Sequence, residues 1–105
     1  MARGGAVSDL VAWTESHTAE APQFLRARVV ALASMRSLPP GTIPERLAYA
    51  GRRALENVCK HPGDRTVALD LLAADALITM ALQAQAELDP VNLADFATRL
   101  QRAAI

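Results

Sequence analysis

Residues 65–88, which read RTVALDLLAADALITMALQAQAEL, are the stretch that decides the fold. Drawn as a helix, this stretch carries bulky apolar side chains around most of its circumference, interrupted by one narrow polar stripe. The apolar residues are Leu69, Leu71, Leu72, Leu77, Ile78, Met80 and Leu82. The polar stripe consists of Asp75, Thr79, Gln83 and Glu87. A helix that is apolar nearly all round is typical of the buried centre of a bundle, so we expect the other helices to pack around it.

The same stretch is long enough to raise the question of a membrane span. Its most apolar window, 67–88, contains Asp70 and Asp75, and two central carboxylates argue against burial in lipid. The N-terminus has no apolar run of the kind that a signal peptide needs. The single cysteine, Cys59, cannot form an intramolecular disulfide, which fits a reducing compartment. We therefore expect a cytoplasmic protein without a membrane partner.

The preceding helix has the clearest local signal in the chain. Thr42-Ile43-Pro44-Glu45 is a capping box, in which the Thr42 hydroxyl caps the helix and the Glu45 carboxylate reaches back to the Thr42 amide. The predicted helix continues to about residue 60. Its residues Ala50, Gly51 and Ala54 form a patch of small side chains, where we expect another helix to approach closely.

Helix-capping and helix-breaking residues in the rest of the chain predict three more helices. A short first helix follows a cap at Ser8 and ends near residue 18, and a second runs over about 22–37 until Pro39, Pro40 and Gly41 stop it. Asp64 is the predicted cap of the 65–88 helix, and Asp89 that of a last helix over about 90–103. Short connections favour antiparallel neighbours.

Composition supports the same fold class. The chain has 105 residues, 51% of them hydrophobic and only 4% aromatic, and it contains 22 alanines and 14 leucines. Alanine and leucine favour helices, whereas β-branched and aromatic residues favour strands. We predict a single all-α domain over 1–105: a small antiparallel helical bundle of four main helices plus a short N-terminal helix, with 1–7 as a flexible tail. More than 65% of the chain should be helical, with no sheet.

Charge is distributed unevenly along a chain whose formal net charge is zero. Between residues 21 and 60 seven basic residues stand against two acidic ones, and between 64 and 98 one basic residue stands against six acidic ones. We interpret this as two halves that pack together, or as subunits that meet basic side to acidic side. Few aromatic residues are available for base stacking and no recognition helix is evident, so nucleic acid is not the expected partner.

No motif in the sequence specifies a reaction. The chain lacks Glu-x-x-His pairs, a glycine-rich phosphate loop and the Gly-x-Ser-x-Gly turn of serine hydrolases. Neither His17 nor His61 has a second ligand at metal-binding spacing, and Cys59 lies at the helix end that does not stabilise a thiolate. We therefore predict no catalytic residue, no metal and no cofactor.

The helical pattern places the charged residue Asp70 on an apolar side of the 65–88 helix, in line with Leu77 and Ala81. A carboxylate in such a position must be paired or reach solvent. The third helix offers Arg52 and Arg53 as partners, and Arg46 as a further one. We predict a structural ion pair between Asp70 and one of these arginines.

Two functions from different classes follow. The first is a non-enzymatic helical protein that acts through protein–protein contacts, including self-association. The other helices of so short a chain can cover only part of a helix that is apolar nearly all round, and a second copy can cover the rest. The alternative is a small-molecule-binding or enzymatic bundle, with a pocket formed by Asp70 and Arg52 or Arg53. A pocket with convergent polar groups would favour the alternative, and an exposed apolar patch would favour the first.

Overall fold

A computed structural model describes residues 5–35, 38–61, 63 and 65–104. In chain order the helices are α1 (Gly5–His17), α2 (Gln23–Ala33), α3 (Ile43–Lys60), α4 (Arg65–Leu88) and α5 (Leu93–Ala104), and a 3-10 turn at Pro90–Asn92 precedes α5. The described residues are 83% helical and contain no strand. The predicted all-α bundle is confirmed.

The contact between α3 and α4 is the most extensive in the fold. Gly51 makes it possible, because a Cβ atom at this position would lie 2.8 Å from Ile78 Cγ1 and 3.3 Å from the carbonyl oxygen of Ala74. The two helices run in opposite directions, since Gly51 meets residues 74–78 while Asn57, further along α3, meets Asp70. The small-residue patch predicted on α3 is therefore the point of closest helix approach.

The core lies along the inner side of α4. Leu10 from α1, Val29 from α2 and Leu47 from α3 are fully buried against the same cluster as Leu77 of α4. Phe96 brings α5 to this cluster. Helix α4 thus contacts α2, α3 and α5, which confirms its predicted central place.

The capping box at the start of α3 is present in full. Glu45 N donates to Thr42 Oγ1 at 3.2 Å, and Thr42 N donates to Glu45 Oε1 at 3.0 Å. Pro44 occupies the first turn, where its missing N–H costs nothing. Both the start and the end of α3 agree with the prediction.

Two other boundaries differ from those predicted, the start of α1 and the end of α2. Helix α1 begins at Gly5, before the predicted cap at Ser8, so residues 5–7 belong to the helix and not to the predicted tail; residues 1–4 of that tail lie outside the described residues. Helix α2 ends at Ala33 rather than near residue 37, because the chain turns early and buries Leu38. The predicted cap Asp64 also lies outside the described residues.

The last helix differs at its start. The Asp89 carboxylate makes no capping bond to the backbone and instead accepts a hydrogen bond from the Asn92 side chain at 2.8 Å. Pro90–Asn92 therefore forms a 3-10 turn, and the α-helical part begins only at Leu93. Proline at the first position fits either geometry, so the sequence pattern alone does not separate them.

Helix α4 is less completely covered than its sequence suggests. Within Val67–Leu88, the one helical stretch of the described chain that is long and apolar enough to cross a membrane, 44% of the most apolar window is buried. Its outward residues include Leu71 and Leu72, whose exposures are 49% and 51%. The expectation of burial all round is therefore wrong on one side, because α2, α3 and α5 cover only the inner side and the flanks.

Candidate functional site

Asp70 is the centre of a polar cluster that joins three helices. Arg28 Nε on α2 donates to Asp70 Oδ1 at 2.6 Å, and Arg28 Nη2 donates to Asp70 Oδ2 at 3.2 Å. Asn57 Nδ2 on α3 donates to the same Oδ2 at 3.1 Å. Both carboxylate oxygens are thus occupied by donors from neighbouring helices.

The electrostatics of this cluster favour an ionised carboxylate. The hydrogen bond from Arg28 is the largest effect and lowers the pKa of Asp70; the charge of Arg28 and the hydrogen bond from Asn57 act in the same direction, while burial opposes them. The Asp70 side chain is 9% exposed and that of Arg28 is 39% exposed. A charge-assisted, two-pronged pair of this kind orients both side chains and fixes α2 against α4.

The predicted partner of Asp70 is wrong. The ion pair exists, but it is made by Arg28 of α2 and not by Arg52 or Arg53 of α3. Arg53 Nη1 donates instead to Tyr49 Oη at 3.1 Å. The guanidinium carbons of Arg52 and Arg53 lie 5.9 and 5.8 Å from the Tyr49 ring centroid. Both arginines therefore lie close to the Tyr49 ring, and neither forms an ion pair with Asp70.

A cleft of about 320 Å³ opens beside the cluster, between α2, α3 and α4. Arg53 shares its wall with Arg28, Asn57 and Asp70, while Leu32 and Met35 contribute apolar surface. Of the predicted site residues, the fold therefore brings Asp70 and Arg53 to one cleft and places Arg52 outside it.

The structure also shows an apolar surface on α4. We define the outer face of α4 as Ala68, Leu71, Leu72, Asp75, Thr79 and Leu82. Five of these residues are exposed and Leu82 is partly buried. Next to this face, a groove of about 200 Å³ runs between α3, α4 and α5. Its walls include Leu55, Ile78, Leu82 and Leu100, so the groove and the outer face form one continuous surface.

The two histidines contact neighbouring groups of the fold, and the cysteine is exposed. The His17 ring stacks on Trp13 with centroids 3.6 Å apart, and its Nε2 lies 3.2 Å from Glu87 Oε2. His61 Nδ1 lies 3.1 Å from the carbonyl oxygen of Asn57, and Cys59 is an exposed free thiol. No three metal-ligating side chains come together in the part of the chain that the structure describes.

Sequence reasoning missed Arg28 and Asn57, although a signal for Arg28 was present. At helical spacing Arg28 lies between Leu25 and Leu32 on the apolar side of α2. The criterion applied to Asp70, a charged residue on the apolar side of a predicted helix, also selects Arg28. Opposite charges on two apolar faces predict a pair between those faces.

No family model, no curated protein and no solved structure matches this chain.

Proposed function

We propose that this protein acts through protein–protein contacts and that it associates with a second copy of itself. The observation that carries the proposal is the continuous apolar surface formed by the outer face of α4 and the adjoining groove. Leu71 and Leu72 are each about half exposed at the N-terminal end of this surface. An exposed apolar patch on the central helix of a bundle is typical of an interaction site.

The composition of the surface suits a helical partner. Leu71, Ile78 and Leu82 recur at helical spacing along one side of α4, with Asp75 as the single charge among them. The groove beside them is bordered by Leu55 on α3 and Leu100 on α5. A helix laid along α4 would remove all of these side chains from water, and apolar burial of this kind is the main driving force of association.

Charge selects a second copy as the partner. Among the described residues, a single ion pair, Arg28–Asp70, joins the basic segment 21–60 to the acidic segment 64–98. Arg52 and Asp75, which form no ion pair among the described residues, are available to another molecule. Asp75 is exposed on the outer face and Arg52 borders the groove, so a twofold arrangement can set the Asp75 of each copy against the Arg52 of the other.

The proposal includes a non-enzymatic role in the cytoplasm. Asp70, the candidate catalytic carboxylate, already accepts hydrogen bonds from Arg28 and Asn57 and is held in its ionised form. The two carboxylates Asp70 and Asp75 of α4 also favour water over lipid as the surroundings of this helix. The exposed thiol of Cys59 fits a reducing compartment.

Sedimentation equilibrium at micromolar concentration tests the self-association. The expected mass is twice the 11.2 kDa of the chain. Leu72→Glu should return the protein to the chain mass, because it introduces a charge into the proposed interface. Phe24→Glu is the matched control, since Phe24 is 62% exposed but lies on α2; this variant should associate like the parent. A parent protein that sediments at 11.2 kDa throughout would refute the proposal.

The cleft beside Asp70 favours a second candidate function, the binding of a small molecule. Its volume of about 320 Å³ lies at the lower end of the range of ligand pockets, and Arg53 and Asn57 present polar groups to it. A copurifying ligand detected by native mass spectrometry, lost in Arg53→Gln but retained in Arg52→Gln, would establish this function. Equal retention by both variants would exclude the cleft as its site.

A further inference from the structure

Arg46 is the most unusual charged residue in the fold. It is 6% exposed, although it lies on α3 near the helix start. Its Nε is buried without a hydrogen-bond partner, and no carboxylate of the described chain forms an ion pair with it. A buried guanidinium in a folded protein is normally matched by an anion or by hydrogen-bond acceptors. Nothing in the described part of the fold provides that match.

Arg46 forms part of the wall of a cleft between α3 and α5. The cleft has a volume of about 180 Å³, and Arg52 and Arg99 also line it. Three arginines therefore border one small space. Taking roughly 30 Å³ for each water molecule of the liquid, the space has the size of about six waters.

Two aromatic rings complete the walls. Tyr49 lies beneath the Arg52 guanidinium, with 5.9 Å from the guanidinium carbon to the ring centroid, and Phe96 lies beneath Arg99 at 5.7 Å. Phe96 is 3% exposed, so its ring is anchored in the core. Stacking on a ring orients a guanidinium and leaves its N–H groups available for a ligand.

The acidic groups near the cleft do not neutralise the three arginines. Glu45 lines the cleft, but its Oε1 accepts the Thr42 amide in the capping box. Asp95 pairs with Arg99 Nε at 3.3 Å, and both side chains are more than half exposed. An exposed pair one helical turn apart is weak and gives way readily to a stronger anion. Arg46 has no such competitor.

We propose that this cleft is a binding site for a small organic anion, whose carboxylate or phosphate group meets Arg46 and whose planar or apolar part lies between Tyr49 and Phe96. Guanidinium groups bind both kinds of oxyanion through paired N–H donors. The proposal does not rest on the self-association, because its central residue, Arg46, belongs neither to the outer face of α4 nor to the groove; Arg52 borders both the cleft and the groove.

Calorimetric titration with benzoate and with inorganic phosphate tests the site, with benzamide as the uncharged analogue and with sodium chloride matching the ionic strength. We expect saturable binding of at least one anion and none of benzamide. In a nitrogen-resolved NMR spectrum, the Nε–H signal of Arg46 should shift during the titration, because the anion supplies its missing acceptor.

Arg46→Met is the decisive variant. It should reduce the affinity at least tenfold while folding at least as well as the parent, since it removes an uncompensated buried charge and retains the volume of the side chain. Arg102→Met removes an exposed charge from α5 outside the cleft and should bind within twofold of the parent. Binding that survives Arg46→Met, or no saturable heat with either anion up to millimolar concentration, would overturn the proposal.

Discussion

Arg28 on α2 and Asp70 on α4 are 42 positions apart in sequence, yet they form a two-pronged ion pair with N–O distances of 2.6 and 3.2 Å. The Asp70 carboxylate is nearly buried, whereas the Arg28 side chain keeps 39% of its surface in water. Asn57 adds a third donor from α3. The cluster is therefore the polar contact at which three helices are fixed in register.

Loss of this contact should destabilise the fold measurably. Asp70→Asn should lower the free energy of unfolding by about 1–3 kcal/mol, which is between the value for a buried pair and that for an exposed one, because Arg28 is partly solvated. Asp75→Asn, an exposed change of the same chemistry on the same helix, should stay within about 0.5 kcal/mol of the parent. Urea denaturation at pH 7 measures both. An Asp70→Asn variant as stable as the parent would remove the structural role assigned to the pair.

A double-mutant cycle should identify the partner of Asp70. Arg28→Gln combined with Asp70→Asn should show a coupling energy of about 0.5–3 kcal/mol, the range for residues in direct contact. Arg53→Gln combined with Asp70→Asn should be additive within about 0.5 kcal/mol, because Arg53 donates to Tyr49 instead. A larger coupling with Arg53 than with Arg28 would contradict the observed pairing.

The ion pair should also make stability depend on pH. The pKa of Asp70 is lower in the folded chain than its ordinary value, so the folded state favours the ionised form. The stabilisation is then present in full above the unfolded pKa of about 3.9 and is lost as the pH falls through the folded pKa. We expect the difference between the parent and Asp70→Asn to be large at pH 7 and to shrink below about pH 4. A difference that stays constant down to pH 2.5 would show that packing, and not ionisation, causes it.

The sequence predicts the helices whose limits are set by local chemistry. Thr42 and Glu45 cap each other within one turn, and α3 begins where they indicate. Helix α4 runs over Arg65–Leu88 as predicted, since no helix-breaking residue lies inside it. Helix α2 ends early because the burial of Leu38, a tertiary effect, determines where the chain turns.

Partner choice is harder to predict than the existence of a pair. The helical pattern shows that Asp70 needs a cation, but the rotation of α2 and α3 about α4 decides which arginine reaches it. The same limit applies to Arg46: at helical spacing it neighbours Ile43 and Ala50 of the apolar stripe of α3, while the walls contributed by Tyr49 and Phe96 depend on how α5 packs. Contacts between distant segments require the crossing geometry of the helices, and one sequence does not contain it explicitly.

The capping box should contribute to stability in proportion to the bonds it makes. Thr42→Ala removes the acceptor of the Glu45 amide and should lower the free energy of unfolding by about 0.5–2 kcal/mol. Thr98→Ala is a suitable control, because the Thr98 hydroxyl donates to Ala94 within an exposed turn of α5 and caps no helix. Thermal unfolding followed by circular dichroism compares the two. Equal losses in both variants would show that the cap contributes nothing specific.

The closest approach of α3 and α4 gives the last prediction. Gly51→Ala improves helix propensity by about 1 kcal/mol, yet we expect it to destabilise the protein, because overpacking a tight core contact costs about 1–3 kcal/mol. The new Cβ would lie 2.8 Å from Ile78 Cγ1 and 3.3 Å from the backbone oxygen of Ala74. Truncation of Ile78 removes the first of these close contacts, whereas no substitution removes the backbone oxygen. Ile78→Ala should therefore be less destabilising in the Gly51→Ala background than in the parent, and urea denaturation of the four proteins measures that coupling. Strict additivity, or a stabilised Gly51→Ala, would mean that the helices can separate there at no cost and that the glycine does not determine their spacing.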